Sequence, residues 1–137
     1  MAEQYDVVVV GGGPAGLSGA LALARSRRSV LVVDAGEPRN APAAHAHNYL
    51  SRDGVPPLEL LAAGRAEVAS YGGELRDGRA VAAERTDDGF AVTLADGDRV
   101  RARRLLVTTG LVDELPDVPG VRERWGRDVL HLSLIHI

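Results

Sequence analysis

Three features of the chain predict an α/β fold built on a parallel sheet. The first is Tyr5-Asp-Val-Val-Val-Val10, a short apolar run suited to a strand buried on both faces. The second is Gly11-Gly-Gly-Pro-Ala-Gly16, a G-x-G-x-x-G turn that follows the run directly and opens a helix. The third is another apolar strand ending in Val32-Val33-Asp34. It delivers a carboxylate about 20 residues beyond the glycines, the spacing of a Rossmann-like dinucleotide unit.

Each piece has a physical reason. Gly11 makes the tight turn off the strand, Gly13 lets the backbone approach a pyrophosphate, and Gly16 lets the helix lie close against the sheet. Pro14 stands in the first helical turn, where a missing N–H costs little. Leu17, Ala20, Leu21 and Ala24 recur at helical spacing, and Arg25, Arg27 and Arg28 sit where cations suit the end of the helix dipole. Asp34 is placed to accept hydrogen bonds from ribose hydroxyls and disfavours a ribose 2′-phosphate, which would want arginine. A glycine-rich turn holding no ligand is the alternative, and the acid at the required spacing argues against it.

Ala35-Gly-Glu-Pro-Arg-Asn-Ala-Pro42 is too rich in turn residues for a regular helix. A loop there lies beside the adenosine end of a dinucleotide, so Arg39 is a candidate phosphate or adenine contact, or else a solvated charge. His45 and His47 form a His-x-His pair, but without a third ligand they give no expectation of a metal. After Pro57, residues Leu58, Leu60, Leu61, Ala63, Ala66, Val68 and Ala69 predict a core-packed crossover helix stopped by Gly72-Gly73. Short strands are expected around Ala80 to Glu84, Phe90 to Leu94 and Arg99 to Ala102, with turns at Asp87-Asp-Gly89 and Ala95-Asp-Gly97. This meander is an insertion into the parallel pattern. Arg104-Leu-Leu-Val-Thr-Thr-Gly110 then reads as a buried strand whose small, polar end faces the ligand cleft. Leu115-Pro-Asp-Val-Pro-Gly120 reads as an extended connector.

Composition bounds the function classes. With 137 residues, 45% of them apolar, and a formal net charge of −3, the chain reads as one globular domain with no charge argument for nucleic acid or an anionic membrane. Its polar start lacks the features of a secretory signal, and a cytoplasmic location follows as the default. There is no cysteine, which excludes thiolate catalysis and cysteine metal sites within these residues. All 16 basic residues are arginine, and the only isoleucines are Ile135 and Ile137. The tail from Leu132 to Ile137 can be spelled by codons resembling a transposase adapter used in preparing sequencing libraries. Residues 1–131 are therefore expected to be native and 132–137 foreign, with the frame interrupted near His131.

The order of the glycine turn, Val-Val-Asp, Arg39-Asn40, the meander, Leu-Val-Thr-Thr-Gly and Leu-Pro-x-Val-Pro-Gly resembles the N-terminal FAD domain of thioredoxin-reductase-like flavoproteins. These are pyridine nucleotide-disulfide oxidoreductases of class II. The likeness runs from about Tyr5 to His131. It implies a Rossmann-like FAD-binding domain, truncated here, with a parallel sheet, helices and an inserted β-meander. It also implies that Gly11, Gly12, Gly13, Pro14, Ala15 and Gly16 bind the FAD pyrophosphate and that Asp34 binds the adenosine ribose. Ala35, Gly36 and Arg39 would line the adenosine end, the Val81 backbone would meet the adenine, and Thr109-Gly110 would pass close to the cofactor. Asn48 corresponds loosely to a residue near the flavin.

For the parent protein the resemblance implies hydride transfer from NAD(P)H through flavin to a disulfide or small-molecule acceptor, with a homodimer left open. The family's NAD(P)H domain is not expected within these 137 residues. Leu132 and Ile135 stand where relatives carry a Cys-x-x-Cys pair, so no catalytic residue is assigned and the chain alone is expected to be inactive. The alternatives are a non-catalytic nucleotide-binding fragment, or a flavin monooxygenase or NAD-dependent dehydrogenase that shares only the glycine motif.

Overall fold

The computed structural model describes residues 4–38, 44–111 and 114–125. Along the chain run β1 (Gln4–Val10), α1 (Pro14–Arg25), β2 (Val30–Asp34), α2 (Pro57–Ser70), β3 (Glu74–Asp77), β4 (Ala80–Thr86), β5 (Gly89–Leu94), β6 (Arg99–Val107) and a short α3 (Val121–Arg124). The strands form a six-stranded sheet in the order β3-β2-β1-β6-β5-β4. β3, β2, β1 and β6 are parallel, with Val8 opposite both Leu31 and Leu105. β5 and β4 extend the sheet antiparallel, as the expected meander.

Alternation along the strands builds a core on each face of the sheet. Val7, Val9, Val30 and Val32 pack against Leu17 and Ala20 of α1 and Val68 of α2. Val8, Leu31 and Val33 point the other way and meet Val92 and Leu94 of β5 and Val100 and Ala102 of β6. The meander thus covers one face while the helices cover the other. Each fully buried valine contributes about 1.5–3 kcal/mol, so Val8 and Val9 of β1 and Val30, Val32 and Val33 of β2 together anchor the fold.

One strand goes beyond the expectations, and two expectations are corrected. Glu74–Asp77 is a strand that the sequence does not announce, because half of its short, charged run faces solvent. Pairing with β2 and ion pairs from Arg76 to Asp96 (3.0 Å) and to Asp98 hold it in place. The strands expected at Arg99 to Ala102 and from Arg104 onward are one strand, β6, which changes partners along its length. Residues 99–102 pair with β5, and from Arg101 onward the strand pairs with β1. The pairing with β5 ends at Ala102, so the second half is less buried than expected, and Val107 is 64% exposed. On α2 only Pro57 and Val68 are buried, and Leu58 is 59% exposed, because this helix packs mainly against α1 and β3.

Helix α1 ends in a Schellman arrangement: the Arg27 N–H donates to the Ala24 carbonyl and the Arg28 N–H to the Leu23 carbonyl. Arg27 takes the left-handed conformation (φ 61°) that glycine usually fills there.

Tyr5 is 3% exposed, and its hydroxyl donates to the Glu74 carboxylate. It thereby ties the start of β1 to β3 across β2. Burial, reinforced by the hydrogen bond to Glu74 and its charge, pushes the phenol up to about 12. The folded state therefore favours the neutral phenol. The resulting stability is full below the ordinary tyrosine value and is lost as pH rises from 10 through 12. Denaturant midpoints measured across that window should show wild type losing about 2–3 kcal/mol that Tyr5→Phe does not lose. Parallel pH profiles for the two proteins would refute this account.

Candidate functional site

The site lies at the C-terminal edge of the parallel strands, where β1, β2 and β6 end. Ligands bind there in open α/β sheets. Gly11 leaves β1 with φ 106°, and its N–H donates to the Val33 carbonyl (2.8 Å). A Cβ at Gly11 would lie 2.3 Å from the Thr108 carbonyl oxygen, and one at Gly16 would lie 2.0 Å from the Gly11 carbonyl oxygen. The turn is thus pressed against the end of β6 on one side and against α1 on the other. Thr108 fastens it, its hydroxyl donating to the carbonyls of Gly11 (2.9 Å) and Val10 (3.3 Å).

Gly13 stands at the N-cap of α1 in extended conformation, and no side chain caps the helix. The first intrahelical bond runs from the Leu17 N–H to the Gly13 carbonyl (2.9 Å), so the amides before it face outward. Pro14 begins the helix, and its first turn holds no acidic residue. A Cβ on Gly13 would meet nothing within 4 Å. Together these features leave an uncapped, positive helix end opening on free space, the arrangement that receives a phosphate.

Asp34 closes the other end. Its Oδ1 accepts from the Gly12 N–H (3.2 Å), and its Oδ2 lies 3.4 Å from Nη1 of Arg65. Arg65 also reaches Asp77 through Nη2 (3.0 Å). Between the amide end and this carboxylate lies a cleft of about 380 Å³. Gly11, Gly12, Gly13, Pro14, Ala15, Asp34, Thr109 and Gly110 all line it, together with Glu37, Pro38, Leu61, Thr108 and Leu111. Gly16 is buried beneath the turn, outside the lining. Ala35 and Gly36 are exposed on the loop between Asp34 and Glu37.

Two other candidates among the described residues, Val81 and Asn48, are not brought to this cleft. Val81 is 57% exposed on β4, three residues beyond Gly78, whose N–H donates to the Asp34 carbonyl (2.8 Å). Asn48 takes a left-handed conformation (φ 63°), and its N–H donates to Asp53 (2.8 Å), holding that carboxyl below its usual range with help from His47. Its neighbours Tyr49, Ser51 and Arg52 line a separate cavity of about 180 Å³ between α1 and α2. Arg39 lies outside the described residues, as do Asn40, His131 and the tail from Leu132 to Ile137. Among the described residues no group of acids, histidines or cysteines could hold a metal ion, and no helix is long and apolar enough to cross a membrane.

Sequence reasoning missed Arg65 and the role of Thr108. Neither carries a local signal, since the one is 31 residues from Asp34 and the other 97 from Gly11.

The pattern of the pyridine nucleotide-disulphide oxidoreductases matches residues 5–133. The chain is 38% identical over 130 residues to a thioredoxin reductase of Claviceps purpurea, covering 92% of this chain and 40% of that protein. The crystal structure of HlmI superposes with a TM-score of 0.88 at 53% identity, covering 96% of this chain and 42% of the other. An oxidoreductase from Agrobacterium tumefaciens superposes with a TM-score of 0.90 at 42% identity, covering 97% and 45% respectively. The chain therefore spans less than half the length of each of these relatives.

Proposed function

The chain belongs to the pyridine nucleotide-disulphide oxidoreductase family, and on that premise we propose that it is the FAD-binding part of a thioredoxin-reductase-like oxidoreductase. Residues 1–131 form the N-terminal part of the FAD domain, and 132–137 are a tail foreign to it. One observation carries the reading: the uncapped amide end of α1 and the Asp34 carboxylate face each other across a single cleft. The two ends offer what the two ends of an ADP moiety require, donors for the pyrophosphate and an acceptor for the ribose.

The residues of this chain bind and orient. Gly11 and Gly16 let the turn pack tightly, Gly12 and Gly13 expose backbone to the phosphates, and Thr108 keeps the turn rigid from behind. Asp34 accepts from the ribose, with Ala35 and Gly36 beside it in the loop, while Thr109 and Gly110 border the path toward the flavin. FAD held by these residues would supply the two-electron redox chemistry of its flavin, for hydride from NAD(P)H and a disulfide or other small acceptor in the parent protein. No side chain here exchanges disulfides, because the 137 residues contain no cysteine.

Isothermal titration of the chain with ADP and with FAD tests the reading. Saturable binding of both is expected. Asp34→Ala should weaken it by about 1–3 kcal/mol through loss of a charge-assisted hydrogen bond. Unchanged affinity would remove Asp34 from the site, and absence of binding by wild type would remove the function.

A further inference from the structure

Asp34 does not act alone. The side chains of Asp34 and Arg65 are only 20% and 31% exposed, whereas that of Asp77 is 87% exposed. The guanidinium therefore meets Asp34 in a partly desolvated place and Asp77 at the surface. Gly64 seats α2 closely on Leu17 of α1, with a Cβ there only 3.1 Å from Leu17 Cδ1, and Val68 anchors the next turn in the core. Arg65 is thus delivered to the tips of β2 and β3 by a fixed helix. With the Gly12 N–H on Oδ1 and Arg65 on Oδ2, the carboxylate is held from two sides.

The geometry points to Arg65 as the positioning residue of the ribose-binding carboxylate and, through it, as a determinant of which adenosine nucleotide the site accepts. The inference rests on the dinucleotide-binding reading above. Held in one orientation, Asp34 distinguishes a ribose hydroxyl from a deoxyribose. Because Asp34 and Asp77 both draw on the Arg65 charge, these three groups carry a net negative charge that repels a 2′-phosphate. Arg65 itself has the bidentate fork that would bind such a phosphate once Asp34 no longer engages it.

The test is calorimetric titration of the chain with ADP, 2′-deoxy-ADP and adenosine 2′,5′-bisphosphate. Wild type should prefer ADP to 2′-deoxy-ADP by about tenfold, the worth of one charge-assisted hydrogen bond. Arg65→Met should compress that ratio to about twofold, and Arg65→Lys, which keeps the charge, should restore part of it. A merely structural role for Arg65 would weaken both nucleotides equally and leave the ratio unmoved. A wild-type ratio in an Arg65→Met protein that still binds ADP would overturn the inference and spare the dinucleotide reading. Failure of wild type to bind any of the three would overturn both. If Arg65→Met does not fold, Asp34→Asn decides. Releasing Arg65 should raise affinity for adenosine 2′,5′-bisphosphate relative to ADP by about tenfold, and no relative gain would refute the role.

Discussion

Gly16→Ala is expected to destabilise the chain by about 3 kcal/mol or more, lowering Tm by about 10 °C. The added Cβ would stand 2.0 Å from the Gly11 carbonyl oxygen and 2.6 Å from Thr108 Oγ1. The nearer obstacle is backbone and cannot rotate away. Helix α1 would have to back off from the turn, and Leu17 and Ala20, which seal the sheet over Val7 and Val9, would retreat with it. The hydroxyl of Thr108 would lose its seat on the Gly11 carbonyl at the same time. Gly78→Ala is the control, since its Cβ would meet nothing within 4 Å and its φ is not positive. That change should stay within about 0.5 kcal/mol. Equal denaturant midpoints for Gly16→Ala and Gly78→Ala would show that the turn is not pressed between β6 and α1.

The parts of this architecture that could be read from sequence are those specified by neighbours along the chain. The Tyr5–Val10 run, the glycines, the helical spacing of Leu17, Ala20 and Ala24, and the arrival of Asp34 are all local patterns, and the structure assembles them in that order. What stayed hidden depends on partners distant in sequence. β3 gives no strand signal of its own because its place is decided by β2 beside it and by Asp96 and Asp98 in the turn between β5 and β6. β6 reads as two strands because Arg103 and Arg104 interrupt the apolar pattern where the strand passes from one neighbour to the other. The apolar count of α2 overstates its burial, since periodicity marks a face without saying whether anything covers it. At the site, glycine spacing locates the phosphate end, but only the folded chain brings Arg65 to Asp34 and Thr108 to Gly11.

Gly13→Asp separates folding from binding, because it should move the two in opposite directions. Gly13 has φ −78° and ψ −171°, a conformation open to any residue, and space for a side chain. Aspartate is among the best N-cap residues, and its carboxylate would take the first free amides of α1 and complement the helix dipole. Stability should therefore hold or rise by a few tenths of a kcal/mol. Those amides and that charge are also what a pyrophosphate needs. A carboxylate in the same place removes the donors and sets like charge against like, which costs several kcal/mol. Affinity for ADP and FAD should fall by at least about 100-fold while the unfolding midpoint stays level or climbs. A protein that loses both stability and binding would mean that the helix end is structural, its apparent openness closed by something a side chain displaces. One that keeps full affinity would move the phosphate site away from α1 altogether. The opposed response, tighter fold and lost ligand, belongs only to a helix end left uncapped so that an anion can cap it.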